Sequence, residues 1–150
     1  MYKLIYCPHV ERLAVDWVKK CLPEVPNPSI YQEYKNSQMN MLLYGSRKPS
    51  LKRIARIWYN ESYDYDYDTN SCKRDCEHYT RMVWSWTTLL GCAMNRCDHL
   101  KPDWPKPVYL VSCAYKGSGS YYKGRPYQRG QSCSQCSEGY TCSRRQCSKI

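Results

Sequence analysis

Phenylalanine is absent from this 150-residue chain, histidine occurs three times, and 13 acidic residues face 23 Lys and Arg. The rings are instead 16 Tyr and 5 Trp, and with 42% hydrophobic residues the chain carries too much bulky apolar surface to stay disordered. No apolar run approaches the roughly 20 residues that cross a bilayer; runs such as Met41-Leu42-Leu43-Tyr44 stop after a handful of positions. That excludes a transmembrane helix. There is no G-x-S-x-G or H-E-x-x-H segment and no internal repeat, which leaves the common hydrolase and zinc-protease motifs without a foothold. A signal peptide is missing as well, because Pro8, His9, Glu11 and Arg12 interrupt any apolar core near the start. The expectation is a mature or N-terminally incomplete chain, long enough for one domain and a small appendage.

Cysteine is in excess. Eleven in 150 residues is far above ordinary usage and points to an oxidising, extracellular compartment, with at least one thiol left over. Cys133, Cys136, Cys142 and Cys147 fall in a tail too poor in apolar residues to build its own core, so it must be stapled. A zinc site is the rival reading of that cluster. The five residues between Cys136 and Cys142 are fewer than the loop of roughly 15 to 20 that ribbon-type zinc sites use, which decides against it.

Charge is uneven. Residues 1–60 hold ten basic and four acidic side chains, residues 61–100 four and seven, and residues 101–150 nine and two. Such basic faces would attract sulfated glycans, anionic headgroups or acidic protein surfaces, and nucleic acid only weakly and without specificity.

From Pro8 to Cys21 apolar residues recur at helical spacing, and a second helix is predicted from Ser50 as N-cap, with Leu51, Ile54, Ile57, Trp58 and Glu61 on one face. Between them, Leu22 to Asn36 reads as an extended surface loop, and Met41 to Leu43 as central strand. Tyr63 to Asn70 alternates Tyr with Asp and reads as a polar loop. Glu77 to Trp84 is predicted as a short helix, and Leu89–Met94 and Val108–Tyr115 as neighbouring strands. The D-x-D-x-D run Asp64 to Asp68 opens like a calcium loop, but Thr69 and Asp75 stand where that loop needs Gly and Glu. Asn60-Glu61-Ser62 is a glycosylation sequon on the second helix.

Four ordered segments carry a resemblance: Leu13-Ala14-x-x-Trp17-x-x-x-Cys21, Trp58-x-x-Glu61, Glu77-His78-Tyr79-Thr80-Arg81-Met82-Val83-Trp84 followed by Gly91-Cys92-Ala93, and Tyr109 to Tyr115 with Gly119, Tyr121 and Tyr122. Together they resemble the CAP superfamily of cysteine-rich secretory, antigen 5 and pathogenesis-related 1 proteins, venom allergen-like members included. The resemblance implies an α+β fold, an α-β-α sandwich here lacking the family's first helix, over residues 1–127, with a hinge-like cysteine tail over 128–150. It implies the pairs Cys21–Cys97, Cys92–Cys113, Cys72–Cys76, Cys133–Cys142 and Cys136–Cys147, leaving Cys7 free.

The family's cleft carries two His and two Glu. Glu61 and His78 occupy two of those positions; Leu22 to Ile30 contains no His, and Met39 stands at the other Glu. Half a tetrad is too few ligands for a firm metal site, so the remnant is expected to be a structural pair, with no metal, no cofactor and no catalytic residue. By the same resemblance Tyr63, Tyr65 and Tyr67 sit where sterol-binding members have an aromatic loop. The expected function is non-enzymatic and extracellular: binding a sterol or fatty acid, or a partner-cell surface protein or sulfated glycan, as an effector or allergen does. A metal-assisted hydrolase using Glu61 and His78, and an ion-channel-modulating toxin, are the alternatives.

Overall fold

The structure, a computed structural model, describes residues 1–117 and 124–150; Gly119, Tyr121 and Tyr122 of the last family segment lie outside the described residues. A short strand β1 (Ile5–Tyr6) leads into helix α1 (Pro8–Val18), whose start is set by the proline in the first turn. Val10, Leu13, Ala14, Trp17 and Val18 form its buried stripe. Strand β2 (Ser37–Tyr44) follows, then helix α2 (Leu51–Asn60), capped by the Ser50 side chain, which accepts from the Arg53 N–H at 3.2 Å. A hairpin of β3 (Tyr65–Asp66) and β4 (Ser71–Cys72) precedes helix α3 (Glu77–Met82). Strands β5 (Thr87–Arg96) and β6 (Tyr109–Gly117) complete the main sheet, and the tail ends in the hairpin β7 (Tyr140–Ser143) and β8 (Gln146–Lys149).

The main sheet has the order β1-β5-β6-β2, with β1 parallel to β5 and the other neighbours antiparallel. Alternation along β6 builds two cores. Leu110 and Ala114 face α1 with Val10, Ala14, Trp17 and Val18, whereas Val111, Cys113 and Tyr115 face Ile54 and Trp58 of α2. Helices on both faces of one sheet make the α-β-α sandwich. Among the described residues no helix is long and apolar enough to cross a membrane. At Gly91 of β5 the α1 backbone comes so close that an added Cβ would meet the Glu11 main chain and lie 2.5 Å from the Val10 carbonyl carbon. Here glycine is required by close approach.

Several local expectations change in three dimensions. Met41 to Leu43 lie in β2, which pairs with β6 alone and is an edge strand; β5 and β6 are the inner ones. The core face of α2 narrows to Ile54 and Trp58, with Leu51 and Ile57 exposed. Residues 22–36 do more than cross the surface. Tyr34 is fully buried against Trp17 and donates to the Leu13 carbonyl at 3.0 Å, while the Trp17 indole donates to the Glu24 carbonyl at 2.8 Å. The aromatic pull of Trp17 outweighs the proline-rich local preference for an extended run.

Five disulfides join Cys21 to Cys97, Cys72 to Cys76, Cys92 to Cys113, Cys133 to Cys142 and Cys136 to Cys147; Cys7 is a half-buried thiol. Cys92 and Cys113 face each other across β5 and β6, tying the sheet's two inner strands. The tail hairpin rests on the beginning of the chain: the Lys3 N–H donates to the Cys147 carbonyl and the Cys147 N–H to the Met1 carbonyl, each at 2.9 Å. Tyr2 and Tyr140 meet edge to face at 4.9 Å. One extended segment therefore borders β8 at residues 1–3 and β5 at residues 5–6.

Candidate functional site

Helix α2 ends as the chain turns through Glu61–Tyr63, which sets the Glu61 carboxylate opposite the first turn of α3. Its two oxygens are both engaged. His78 Nδ1 lies 2.6 Å from Oε1, and the Tyr79 N–H donates to Oε2 at 3.1 Å. The other ring nitrogen, Nε2, lies 3.2 Å from the Met41 carbonyl of β2. The imidazole thus bridges the Glu61 carboxylate and the Met41 carbonyl through its two ring nitrogens. Trp58 stacks on the imidazole at 5.6 Å and 10°. The fully buried Asn40 amide donates to the His78 carbonyl at 2.9 Å, fixing the backbone beneath the ring. Glu61 thus acts as an anionic cap on α3 and as the tie between α2, α3 and β2.

Each Glu61 oxygen and each His78 ring nitrogen has a partner within the protein, and among the described residues no three His, Cys, Asp or Glu side chains gather as ligands. Met39 packs in the α1 core with Leu13, Trp17 and Tyr34. A depression of about 150 Å3 nearby is edged by Tyr34, Ser37, Gln38, Met39 and Arg81, and does not include Glu61 or His78. Among the described residues, no Ser or Cys side chain is hydrogen-bonded to either of them.

The three loop tyrosines part company. Tyr63 is 82% exposed. Tyr65 is half-buried, tilted against Tyr79 at 5.9 Å, with its hydroxyl donating to Asn70 at 2.9 Å. Tyr67 is occupied: it stacks on Tyr127 at 5.2 Å, the Arg129 guanidinium lies 4.2 Å from the ring centre, and Arg125 holds the Tyr67 and Asp68 carbonyls at 2.8 Å. Tyr59 of α2 and Tyr79 of α3 extend the cluster, meeting at 5.8 Å. Burial is the main reason the Tyr79 and Tyr65 hydroxyls hold their protons more tightly than an ordinary tyrosine. Sequence reasoning missed Tyr59, Tyr79 and Tyr127 as partners of this loop. The helical spacing that puts Tyr59 beside the Trp58-to-Glu61 segment was a usable signal; Tyr127 had none.

The model of the CAP, cysteine-rich secretory protein, family matches residues 1–115. The mouse GLIPR1-like protein 1 is 33% identical over 144 residues, covering 92% of this chain and 59% of that protein. Human cysteine-rich secretory protein LCCL domain-containing 1 is also 33% identical over 144 residues, 85% of this chain and 27% of its own length. The chain therefore spans about three fifths of the GLIPR1-like relatives and a smaller part of the LCCL protein. Among solved structures, Schistosoma mansoni venom allergen-like protein 4 superposes with a TM-score of 0.67 at 24% identity, over 87% of this chain and 76% of that one. The hookworm platelet inhibitor gives 0.71 at 20% identity, over 99% and 77%. At those identities the structural likeness speaks for the fold alone.

Proposed function

The chain belongs to the cysteine-rich secretory protein (CAP) family, and from that premise we propose that it is a secreted protein that works by recognition and not by catalysis. The observation carrying this reading is that the Glu61–His78 pair is engaged within the fold, its members bonded to each other, to the Tyr79 N–H and to the Met41 carbonyl. General acid–base or metal-assisted hydrolysis needs a group free to reach substrate. Five disulfides fit an oxidising, extracellular setting.

The ligand we assign to the aromatic surface is a sterol or similar flat apolar lipid. Tyr59 presents an exposed ring against Tyr79, which Tyr65 also meets, and Tyr63 is exposed in the turn after α2, while Tyr67 is committed to Arg125 and Arg129. Rings with hydroxyl edges suit a ligand that is apolar across its faces and polar at one end. Saturable binding of a fluorescent cholesterol analogue, weakened about tenfold or more by Tyr63→Ser with Tyr59→Ser, is the expected result. Equal binding by that variant and the parent would remove the aromatic surface from the function; turnover of ester or peptide substrates that disappears in His78→Ala would return the hydrolase reading.

A further inference from the structure

The connection between β7 and β8 is made by Arg144 and Arg145, and both have left-handed backbone, with φ of 50° and 64°. Ser143 pairs with Gln146 and Cys142 with Cys147 on either side, so this is a two-residue hairpin turn with positive φ at both central positions. Asn-Gly is the pair that adopts such a turn most easily, because a Cβ crowds the left-handed conformation. Two arginines therefore stand where local backbone chemistry favours neither. The covalent frame holds them there: Cys142, next to the turn's flanking Ser143, is bonded to Cys133, and Cys147, next to Gln146, to Cys136. An observed backbone departure on a rigid, exposed tip points to side chains serving contact and not folding.

Both arginines are exposed, and among the described residues neither makes an ion pair. Arg125 and Arg129 differ, since their guanidinium groups are spent on Tyr67 and Asp68. Glu138 is the single acid in residues 128–150. From the turn, β8 runs to Lys149, and the Met1–Lys3 segment lies alongside. Lys149 and Lys3 edge a groove of about 310 Å3 that also includes Tyr2, Tyr140, Ile5 and Ser148.

We propose that this face, from the Arg144–Arg145 turn to the Lys3–Lys149 groove, docks a sulfated glycan. Four residues of strand at about 3.4 Å each separate Arg145 from Lys149, so the two groups of cations stand about 14 Å apart. Cations at both ends of such a span suit a linear polyanion that carries sulfates along its length. Guanidinium forks take sulfate and carboxylate in paired hydrogen bonds, and at the other end the Tyr2–Tyr140 pair lines the groove beside Lys149. Beside the arginines the turn presents polar Ser143 and Gln146, and the exposed apolar side chains Ile5 and Ile150 lie toward the Lys3–Lys149 end, so the turn itself has nothing to insert into a lipid surface and the glycan is favoured over an acidic membrane on that ground.

The test is affinity of the full chain for heparin fragments of defined length across a salt series. The variant Arg144→Asn with Arg145→Gly installs the turn's preferred pair, so the hairpin keeps its fold while losing both guanidiniums. Lys52→Asn with Arg56→Asn, two exposed positions on α2, removes the same charge elsewhere. The turn variant is expected to bind about tenfold more weakly near physiological salt and to flatten the dependence of log affinity on log salt by about two, with the α2 variant within about twofold of the parent. Equal losses in both variants would reduce the effect to net charge and overturn the proposal. So would undiminished binding by the turn variant, or an arginine-dependent binding to phosphatidylserine vesicles stronger than that to heparin.

Discussion

Replacing Glu61 with alanine separates a structural pair from a chemical one. The change removes the Glu61–His78 contact and the acceptor of the Tyr79 N–H at the first turn of α3. A hydrogen bond to a charged group contributes about 1.5–3 kcal/mol, and loss of an acidic cap costs about 1 kcal/mol. The side chains are 20% and 24% exposed, which trims the upper end through solvent screening. The net expectation is about 2–3 kcal/mol of destabilisation. At about 2–4 °C per kcal/mol for a chain of this size, the thermal midpoint falls by about 5–10 °C. Circular dichroism with the disulfides intact measures it. His78→Ala should cost a similar amount, and the double variant little more than either single, because both remove the same contact; the coupling is then about 2 kcal/mol. A Glu61→Ala midpoint within about 0.5 kcal/mol of the parent would refute the structural reading. Zinc that raises the midpoint of the parent but not of the variant would refute it too, and would make the pair a metal site.

Two further expectations follow from packing and burial. Gly91→Ala places a Cβ against the α1 main chain at Val10 and Glu11 and should cost about 3 kcal/mol, read from the urea midpoint at constant slope; a loss below about 0.5 kcal/mol would mean the helix does not ride that close. Burial, with smaller contributions from the carboxylates of Glu33 and Asp16, pushes the Tyr34 hydroxyl from 10.0 up to about 12, and burial raises Tyr79 and Tyr115 as well. Because the folded state holds these protons more tightly, their contribution is complete below pH 10 and drains away as pH rises from there toward about 12. The thermal midpoint should fall across that window together with the rise of tyrosinate absorbance, and less steeply in Tyr34→Phe; a flat profile to pH 12 would contradict it.

Much of the fold was legible because its signals are local. The 3.6-residue recurrence from Val10 to Val18 marks α1, Ser50 before Leu51 marks the start of α2, and the β-prone runs around Cys92 and Cys113 mark the two inner strands. The ordered family segments imply that Glu61 and His78 lie together, and the two side chains meet at 2.6 Å. Within the site, the partners that silence the pair were not legible: the Met41 carbonyl and the Tyr79 N–H are backbone groups, and no side-chain identity announces them.

The sequence by itself determined the elements, the two-sided apolar pattern and the chemistry available, since these depend on residues a few positions apart. Tertiary structure decided which rings stay free and where the cations gather. Tyr67 is covered by Arg125 and Arg129, 58 and 62 residues away; Tyr34 is buried by Trp17 from within a proline-rich loop; Met41 to Leu43 fall on an edge because, among the described residues, no strand pairs with the far side of β2. Arg144 and Arg145 take up a left-handed turn because the paired strands and the disulfides on both sides close the chain there. Contacts of that kind are fixed by closure of long loops and by strand register, and neither is written in any window of neighbouring residues.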